Sequence, residues 1–545
     1  MVAMSMADGF ARLTSRPCAV IVHVDVGTQA LGPAFHNAST GRAPVLVFAG
    51  LSPFTQENEL RGSRTEFVQW LQDTTDQKAI VAQYCRFIAE VKTGRNVKQL
   101  VNRALQFATS DPKGPVYLMG AREVMEEEVE PYAITQAHWS SIELGELPSS
   151  AIPTITSALV EAESPIIIAG FTGRNHATPP LLANLATLIP GLRVIDAGQS
   201  EMTFSFAHRA ILTPATGARA AIISADVILI LDTDVPWIPA TTIPRADAKI
   251  YHIDVDPLKQ NMNLFYIPAI ARYRASSELA LQQLISYISS NDSLIAQLKS
   301  NIYSSRWHVL GDTYASNLVA IAARAAPPAP NRPSTVAYLS RTLKEVLPTD
   351  TIWVSEAVTN HVKMAEQLQA SIPGTFITKG GAGLGWSGGA ALGVKLAADL
   401  SSPPDLTPRS KLVVSITGDG SFLFGAPSCW TWVAAQYKIP TLTIILNNNG
   451  WNAPRNSAKL VRPDGVAQSA SAEEIGCGFG GRVSSSQTGM VGGCPDYAKI
   501  AEGGSNGWIL GRKVEKWEDI KTVIEEARRA IEGGRGVVLD VWVDG

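Results

Sequence analysis

Short runs of β-branched and other apolar residues alternate with longer stretches of helical periodicity along most of the chain. This alternation is typical of α/β proteins built on parallel sheets. It occurs in three segments, which are separated by an acidic stretch, Glu123–Tyr132, and by a proline-rich stretch, Pro327–Pro333. The pattern therefore predicts an α/β fold with three doubly wound parallel-sheet domains.

The apolar runs place the strands. The predicted strands are Cys18–Val24, Ala43–Gly50 and Gly114–Gly120 in the first segment, Pro165–Gly170, Leu192–Gly198, Ala225–Asp234 and Lys249–Pro257 in the second, and Thr351–Glu356, Lys411–Gly420, Pro440–Gly450 and Gly536–Val543 in the third. The predicted helices are Asn96–Ala108, Ser277–Ser289, Gly388–Ala398, Ala426–Tyr437 and Glu518–Ile531. We expect domains at residues 1–135, 150–290 and 336–545, with a linker at residues 291–335.

Composition narrows the class of protein. Hydrophobic residues make up 46% of the chain, which is ample for buried cores, and the net charge of −3 argues against nucleic acid or an anionic membrane as the main partner. No apolar run reaches the roughly 18 residues of a membrane span. The five cysteines form no CxxC pair, so a reducing compartment is expected. We predict a cytoplasmic location and leave a mitochondrial one open.

The clearest chemical signal is a pair of polar turns in the third segment. One predicted strand ends in Gly-Asp-Gly-Ser, residues 418–421, and the next ends in Asn-Asn-Asn-Gly, residues 447–450. The carboxyl ends of parallel strands meet at one edge of a sheet, where open α/β sheets bind ligands. Carboxylate and amide oxygens suit Mg²⁺, and the glycines allow a phosphate to approach the backbone. A lone Gly-Asp-Gly is usually a simple strand-end turn, but this combination is much more specific.

In these residues the chain resembles the thiamine-diphosphate enzymes of the acetolactate synthase and benzoylformate decarboxylase type. The resemblance implies a pyrimidine-binding domain, a central Rossmann-like domain and a diphosphate-binding domain, in that order. It implies thiamine diphosphate and Mg²⁺ as cofactors, with Asp419, Asn448 and the Gly450 carbonyl as metal ligands. It further implies that Gly418, Gly420, Ser421 and Asn448 bind the cofactor. The Asp419-to-Pro440 spacing is two residues longer than is usual in the family.

Two more stretches resemble the family. The glycine-rich Gly380–Gly393 resembles the turn and helix that precede the Asp, which implies cofactor contacts from Gly383 and Leu384, the latter beneath the thiazolium. An ordinary core leucine is an equally good interpretation of Leu384. The strand-end stretch Glu356–His361 implies diphosphate contacts from Thr359, Asn360 and His361, although a generic polar loop would read the same way.

His23 is the candidate catalytic residue. It ends a predicted strand in the stretch His-Val-Asp-Val-Gly-Thr, which resembles the turn that carries the catalytic His of benzoylformate decarboxylase. A lone strand-end His is more often structural, and two departures from the family pattern bear on the assignment. The central segment has no second His where that decarboxylase carries one, and Gln29-Ala30 stands where an Asn is usual.

The resemblance implies action on a small 2-oxo acid, with three functions left open. The function predicted first is acetolactate-synthase-like carboligation. The alternatives are non-oxidative decarboxylation of the benzoylformate decarboxylase kind and a catalytically inactive or truncated member of the family. It also implies a homodimer or tetramer. The central segment lacks a convincing GxGxxG, so we predict no obligatory flavin.

Two further features carry expectations of their own. The family's catalytic Glu lies eight residues before the Gly of its Ala-Asp-Gly-Phe-Ala stretch, and counting back from Gly9 places that position just before Met1. We therefore expect an incomplete N-terminus. The glycine- and serine-rich segment Gly476–Cys494 reads either as a surface loop or as an artefact of the gene model.

Overall fold

The computed structural model describes residues 1–198, 200–400, 411–470, 475–476 and 494–544. Its strands form three sheets, and the neighbouring strands within each sheet pair in parallel. The first sheet has the order β1-β2-β4-β3, the second β10-β9-β8-β5-β6-β7 and the third β12-β11-β13-β14-β16-β15. The strands are β1 Cys18–Val22, β2 Val45–Leu51, β3 Ile88–Val91, β4 Val116–Ala121, β5 Pro165–Ala169, β6 Arg193–Asp196, β7 Ile211–Leu212, β8 Val227–Leu231, β9 Lys249–Asp254, β10 Ala271–Arg274, β11 Ile352–Glu356, β12 Phe376–Thr378, β13 Val413–Gly418, β14 Leu442–Asn447, β15 Leu510–Val514 and β16 Val537–Trp542.

Helices connect these strands, as a parallel sheet requires. In chain order they are α1 Val2–Thr14, α2 Val26–Gln29, α3 Gly32–Thr40, α4 Val68–Leu71, α5 Val97–Thr109, α6 Arg122–Met125, α7 Ala151–Glu161, α8 Thr178–Leu188, α9 Ala218–Ser224, α10 Ser277–Ser289, α11 Asp292–Leu298, α12 Asn301–Arg324, α13 Val336–Val346, α14 His361–Leu368, α15 Trp386–Leu400, α16 Asp419–Phe424, α17 Pro427–Tyr437, α18 Asn452–Val461, α19 Tyr497–Gly504 and α20 Ile520–Glu532. None of the helices in the described part of the chain is both long and apolar enough to cross a membrane.

The predicted fold class is confirmed: three parallel-sheet α/β domains are present. Each predicted strand coincides with an observed one, with ends that differ by a few residues. The strands that the apolar pattern missed are β3, β7, β10, β12 and β15. All five lie at sheet edges. An edge strand is short and has one neighbour, so it does not need the continuous apolar run that marks a central strand.

The segment at residues 291–335, which was predicted as a linker, contains two complete helices. Helix α11 covers Asp292–Leu298, and the long helix α12 covers Asn301–Arg324. Helix α12 buries Tyr303, Leu310 and Ile321 in the core of the second sheet. The extended stretch that the prolines favour is therefore confined to the residues after Arg324.

The chain divides into two compact units. Unit 1 comprises Met1–Glu143, Lys379–Ser410 and Phe424–Trp430, and unit 2 comprises Leu144–Thr378, Lys411–Leu423 and Thr431–Gly545. Unit 1 contains the first sheet, and unit 2 contains the second and third sheets.

Within unit 1, helices α1 and α15 lie against each other with close backbone contact. A Cβ added at Gly9 would be 2.3 Å from the Ala390 carbonyl oxygen, and one added at Gly393 would be 1.9 Å from the Met6 carbonyl oxygen. Only glycine permits this separation. The buried Trp386 indole donates to Asp8 Oδ2 at 2.6 Å, so a polar contact fixes the start of α15 against α1.

Within unit 2, the two sheets have separate cores. The second sheet packs between α7, α8, α10 and α12 on one side and α9 on the other. One face of the third sheet packs on α13 and α20. The polar ends of the third sheet's strands therefore lie at an edge of a rigid, well-packed layer.

Candidate functional site

Three adjacent strands of the third sheet end at the edge where the polar turns lie. In the order β12-β11-β13-β14, strand β13 ends at Gly418 and β14 at Asn447, and their register pairs Gly418 with Leu446. Strand β11 is followed by a 3-10 turn, Val358–Asn360, which helix α18 contacts. The structure thus brings the three predicted turns of this sheet together at its carboxyl edge.

Asp419 is the buried carboxylate of this edge. Only 4% of its surface is exposed, and Oδ1 accepts a hydrogen bond from the Gly420 backbone N–H at 2.7 Å. Burial raises the pKa of Asp419 to about 6, and the backbone N–H groups of Gly420 and of residues 448–450 act in the opposite direction. The Asn-Asn-Asn-Gly turn therefore lies close enough to this carboxylate to favour its ionised form, so the two polar turns meet.

The asparagine turn is held by its own side chains. The Asn447 side-chain oxygen accepts from the Asn449 N–H at 3.1 Å, and the Asn448 side-chain oxygen accepts from the Gly450 N–H at 3.2 Å. Asn449 has a positive φ of 55°, a conformation that asparagine tolerates better than most residues. A run of asparagines therefore suits this tight turn.

The two glycines of the Gly-Asp-Gly stretch have different surroundings. A Cβ at Gly420 would lie 2.8 Å from Trp451 Nε1, so the indole closes over the backbone there. A Cβ at Gly418 would meet no described atom within 4 Å, which leaves the backbone open to a ligand. Ser421 follows in helix α16 and is buried.

These residues fit a bound Mg²⁺. Asp419, Asn448 and the Gly450 carbonyl supply hard oxygen atoms, and Mg²⁺ is commonly held by one or two carboxylates together with substrate phosphates. A buried carboxylate whose pKa is raised by desolvation gains from a nearby cation. The described residues contain no group of three or more His, Cys, Asp or Glu side chains that could hold a metal.

The other predicted residues of unit 2, Thr359, Asn360 and His361, follow strand β11. Thr359 is exposed and Asn360 is partly buried in the turn after β11. His361 is the first residue of α14. Its ring packs edge-on against the Phe376 ring, with the two ring centroids 5.7 Å apart, and lies beside Gly198, where it lines a cavity of about 110 Å³. Burial lowers the pKa of His361 to about 4. The His361 ring therefore contacts Phe376 of β12 and lies beside Gly198, in the loop after β6. Its contact with the diphosphate stays a prediction.

In unit 1, His23 lies directly after β1 and is exposed. Its Nδ1 lies 3.3 Å from the Val24 carbonyl oxygen. The turn behind it is rigid, because the backbone N–H of the buried Asp25 donates to Gln77 Oε1 at 2.7 Å. Gln77 in turn donates to the Gly50 carbonyl oxygen and to the Tyr117 hydroxyl. An exposed His on a fixed turn can meet a substrate.

The predicted Gly383–Leu384 turn also lies in unit 1, where helix α3 holds it. The Asn37 amide donates to the Gly383 carbonyl oxygen at 2.9 Å and accepts from the Gly383 N–H at 3.0 Å. A Cβ at Gly383 would lie 2.6 Å from the Pro33 carbonyl oxygen, which explains the glycine. Leu384 is partly exposed, so it is not a fully buried core leucine.

The sequence analysis missed one residue of the third sheet's edge. Asp540 on β16 accepts a hydrogen bond from Asn447 Nδ2 at 2.9 Å and is fully buried. The available signal was an Asp inside the otherwise apolar run Gly536–Val543. The Gly476–Cys494 segment, for which two interpretations were left open, lies largely outside the described residues.

Comparison with known proteins gives consistent matches in both units. The family model "Thiamine pyrophosphate enzyme, N-terminal TPP binding domain" matches residues 1–80, and "Thiamine pyrophosphate enzyme, C-terminal TPP binding domain" matches residues 357–541. A benzoylformate decarboxylase of Pseudomonas aeruginosa is 23% identical over 83% of this chain and 78% of its own length. A 2-hydroxyacyl-CoA lyase 2 of Danio rerio is 23% identical over 99% of this chain and 84% of its own.

Among solved structures, a thiamine diphosphate-dependent 4-hydroxybenzoylformate decarboxylase of Rhodococcus jostii RHA1 superposes with a TM-score of 0.73. The match covers 99% of this chain and 90% of that one, at 21% identity. At this identity the likeness concerns the fold.

Proposed function

The chain belongs to the thiamine pyrophosphate enzyme family, and we propose that it is a thiamine-diphosphate- and Mg²⁺-dependent lyase or carboligase that acts on a 2-oxo acid. The observation that carries the proposal is that the neighbouring strands β13 and β14, whose register pairs Gly418 with Leu446, bring the buried carboxylate of Asp419 beside the turn at residues 448–450. This arrangement presents oxygen ligands to a cation at the edge where the backbone beside Gly418 is open.

The protein's part in cofactor binding follows from this geometry. Asp419, Asn448 and the Gly450 carbonyl would hold Mg²⁺, and the cation would neutralise the cofactor's diphosphate. Gly418, Gly420 and Ser421 would contact the diphosphate from one turn, and Thr359, Asn360 and His361 from the next. Gly383 and Leu384 would contact the cofactor from the turn before α15.

When bound, thiamine diphosphate supplies the electron sink that loss of CO₂ from a 2-oxo acid requires. The chain's own residues then bind, orient and exchange protons. His23 is the candidate proton donor and acceptor, because an imidazole ring can both give and take a proton and this one is exposed on a turn held by hydrogen bonds.

The direct test of the cofactor proposal is calorimetric titration of the full chain with thiamine diphosphate. Binding with excess Mg²⁺ and loss of binding in EDTA are expected, since the diphosphate needs the cation. Equal binding in EDTA would contradict the Mg²⁺ assignment, and absence of binding in both conditions would contradict the proposed function.

Carboligation and decarboxylation are separated by product analysis. With pyruvate, an acetolactate-synthase-like enzyme gives acetolactate, whereas a simple decarboxylase gives acetaldehyde. The decarboxylase alternative is supported by His23, which directly follows β1. Benzoylformate and 4-hydroxybenzoylformate belong in the assay because two similar proteins are named as decarboxylases of these compounds. A 2-hydroxyacyl-CoA is included for the same reason. Cofactor binding without any product would favour an inactive member of the family.

We also propose a homodimer or a dimer of dimers. The support is the resemblance to a family in which the pyrimidine domain of one subunit faces the diphosphate domain of another. Sedimentation of the full chain tests this, and a fully active monomer would contradict it.

A further inference from the structure

Asp540 lies close to the proposed metal site but outside every motif by which that site was recognised. We propose that Asp540 is a positioning residue for cation and cofactor binding, which acts by orienting Asn447 and through it the turn that carries Asn448 and Gly450. The inference rests on the proposed function, because it assigns a role toward the same site.

A short chain of hydrogen bonds connects Asp540 to the turn. Asp540 Oδ1 accepts from Asn447 Nδ2 at 2.9 Å. The other end of the same amide, Asn447 Oδ1, accepts from the Asn449 N–H at 3.1 Å. Since one planar amide makes both contacts, holding its nitrogen also fixes its oxygen. The carboxylate on β16 therefore determines which way the end of β14 turns.

The second contact of the Asn447 nitrogen is much weaker. Asn447 Nδ2 also lies 3.2 Å from Cys494 Sγ. A thiol sulfur is a weak acceptor, whereas a carboxylate gives a charge-assisted bond of about twice the strength of a neutral one. The carboxylate is therefore the partner that holds the amide.

The burial of Asp540 is energetically unfavourable for a residue with a purely structural role. Its side chain is fully buried, and Oδ2 has no hydrogen-bond partner among the described residues. A buried carboxylate is expensive unless it is fully paired, and an apolar residue in a central strand would stabilise the sheet at least as well. Stability alone therefore does not account for an Asp at this position.

The charges around Asp540 relate it to the proposed metal ligand. Burial is the main cause that raises the pKa of Asp540 to about 6, with smaller contributions from Asp496 and Asp419 in the same direction and from Lys513 and the Asn447 bond in the opposite one. Asp540 and Asp419 thus interact electrostatically.

The test uses the full chain and measures by calorimetry the apparent affinity for Mg²⁺ in the presence of a fixed excess of thiamine diphosphate. Outer partners of metal ligands typically contribute 10–100-fold to metal affinity, so Asp540→Leu should weaken Mg²⁺ binding by roughly that factor. Asp540→Asn keeps an acceptor oxygen for Asn447 Nδ2 and should lose less than about tenfold. The matched control is Cys494→Ala, which removes the weak acceptor of the same amide and should leave the affinity within about threefold of wild type.

A double-mutant cycle with Asn447→Ala shows whether Asp540 acts through Asn447. The double variant should bind Mg²⁺ no more weakly than Asn447→Ala alone. Additive losses would overturn the proposal, as would wild-type affinity in Asp540→Leu. If circular dichroism shows that Asp540→Leu does not fold, the cycle is run with Asp540→Asn instead. In that cycle, losses of Mg²⁺ affinity that add, or a loss in Asp540→Asn as large as that in Asn447→Ala, would overturn the proposal. Absence of Mg²⁺-dependent cofactor binding in the wild type would instead refute the proposed function.

Discussion

Replacing Asp419 by Asn should stabilise the metal-free protein while it abolishes cofactor binding. The Asp419 carboxylate is buried, and the groups that favour its ionised form are backbone N–H groups. Without a cation, the buried carboxylate is still ionised at neutral pH, but its ionisation destabilises the folded state relative to the unfolded one. Asn has nearly the same shape and carries no charge, so the substitution removes the unfavourable ionisation together with the metal ligand.

The pKa of Asp419 sets the magnitude and the sign. Burial raises this pKa from 3.8 to about 6. One pKa unit corresponds to about 1.4 kcal/mol, so the ionised carboxylate destabilises the folded state by about 3 kcal/mol above pH 6. Between pH 4 and pH 6 the folded state binds more protons than the unfolded one, so wild-type stability should fall as the pH rises through this window. The amide keeps one acceptor oxygen of two, which offsets about 1 kcal/mol, and a net gain of about 1–2 kcal/mol remains at pH 8.

Thermal unfolding followed by circular dichroism measures this effect. Both proteins are unfolded in EDTA at pH 4 and at pH 8, and again at pH 8 with Mg²⁺ and thiamine diphosphate. In EDTA, D419N should unfold at a higher temperature than wild type at pH 8 but not at pH 4. Cofactor at 100 times its Kd should stabilise wild type by about 2.7 kcal/mol and leave D419N unchanged.

Asp254→Asn is the matched control, because Asp254 is buried but is paired with the Lys259 ammonium. Removing that charge leaves a buried cation less well compensated, so this variant should lose stability at pH 8. Lower stability of D419N than of wild type in EDTA at pH 8 would refute the reasoning about its desolvation. Equal stabilisation of D419N and wild type by the cofactor would refute the assignment of Asp419 as a ligand.

Three further predictions concern single substitutions. His23→Ala should slow turnover of a 2-oxo acid by roughly 10²–10⁴-fold, which is the contribution of a general acid–base group, and should leave thiamine diphosphate affinity nearly unchanged. Equal steady-state rates in wild type and variant would indicate a structural role for His23. Gly420→Ala should perturb Trp451 fluorescence and weaken cofactor binding, because the added Cβ would lie 2.8 Å from the indole nitrogen. In Gly418→Ala the added Cβ meets no described atom within 4 Å, so this variant should leave the fluorescence unchanged. Identical spectra for the two variants would contradict the contact. Burial lowers the pKa of His361 to about 4, so wild type should lose about 3 kcal/mol of stability as the pH falls from 6.5 to 4, and His361→Phe should remove this loss. Unfolding measured at pH 4 and at pH 7 checks this. An unchanged pH dependence in His361→Phe would contradict it.

The fold class was readable from the sequence because central strands of parallel sheets are buried on both faces. A run such as Val413–Gly418 must then be almost entirely apolar, and its carboxyl end shows where a ligand site lies. The Gly-Asp-Gly and Asn-Asn-Gly turns were recognisable for the same reason, since their spacing matches strand, helix and strand. Even the boundaries of α10, Ser277–Ser289, follow from local pattern and capping.

Tertiary structure decided what local pattern does not encode. An edge strand such as Phe376–Thr378 is stabilised by a neighbour elsewhere in the chain, so its own three residues carry little signal. The bond between Asp540 and Asn447 joins residues 93 positions apart, and no spacing rule predicts it. The pKa of Asp419 likewise depends on how deeply the folded sheet buries the carboxylate. Periodicity reports which face of an element is apolar, whereas desolvation and long-range hydrogen bonds exist only after distant segments have packed together.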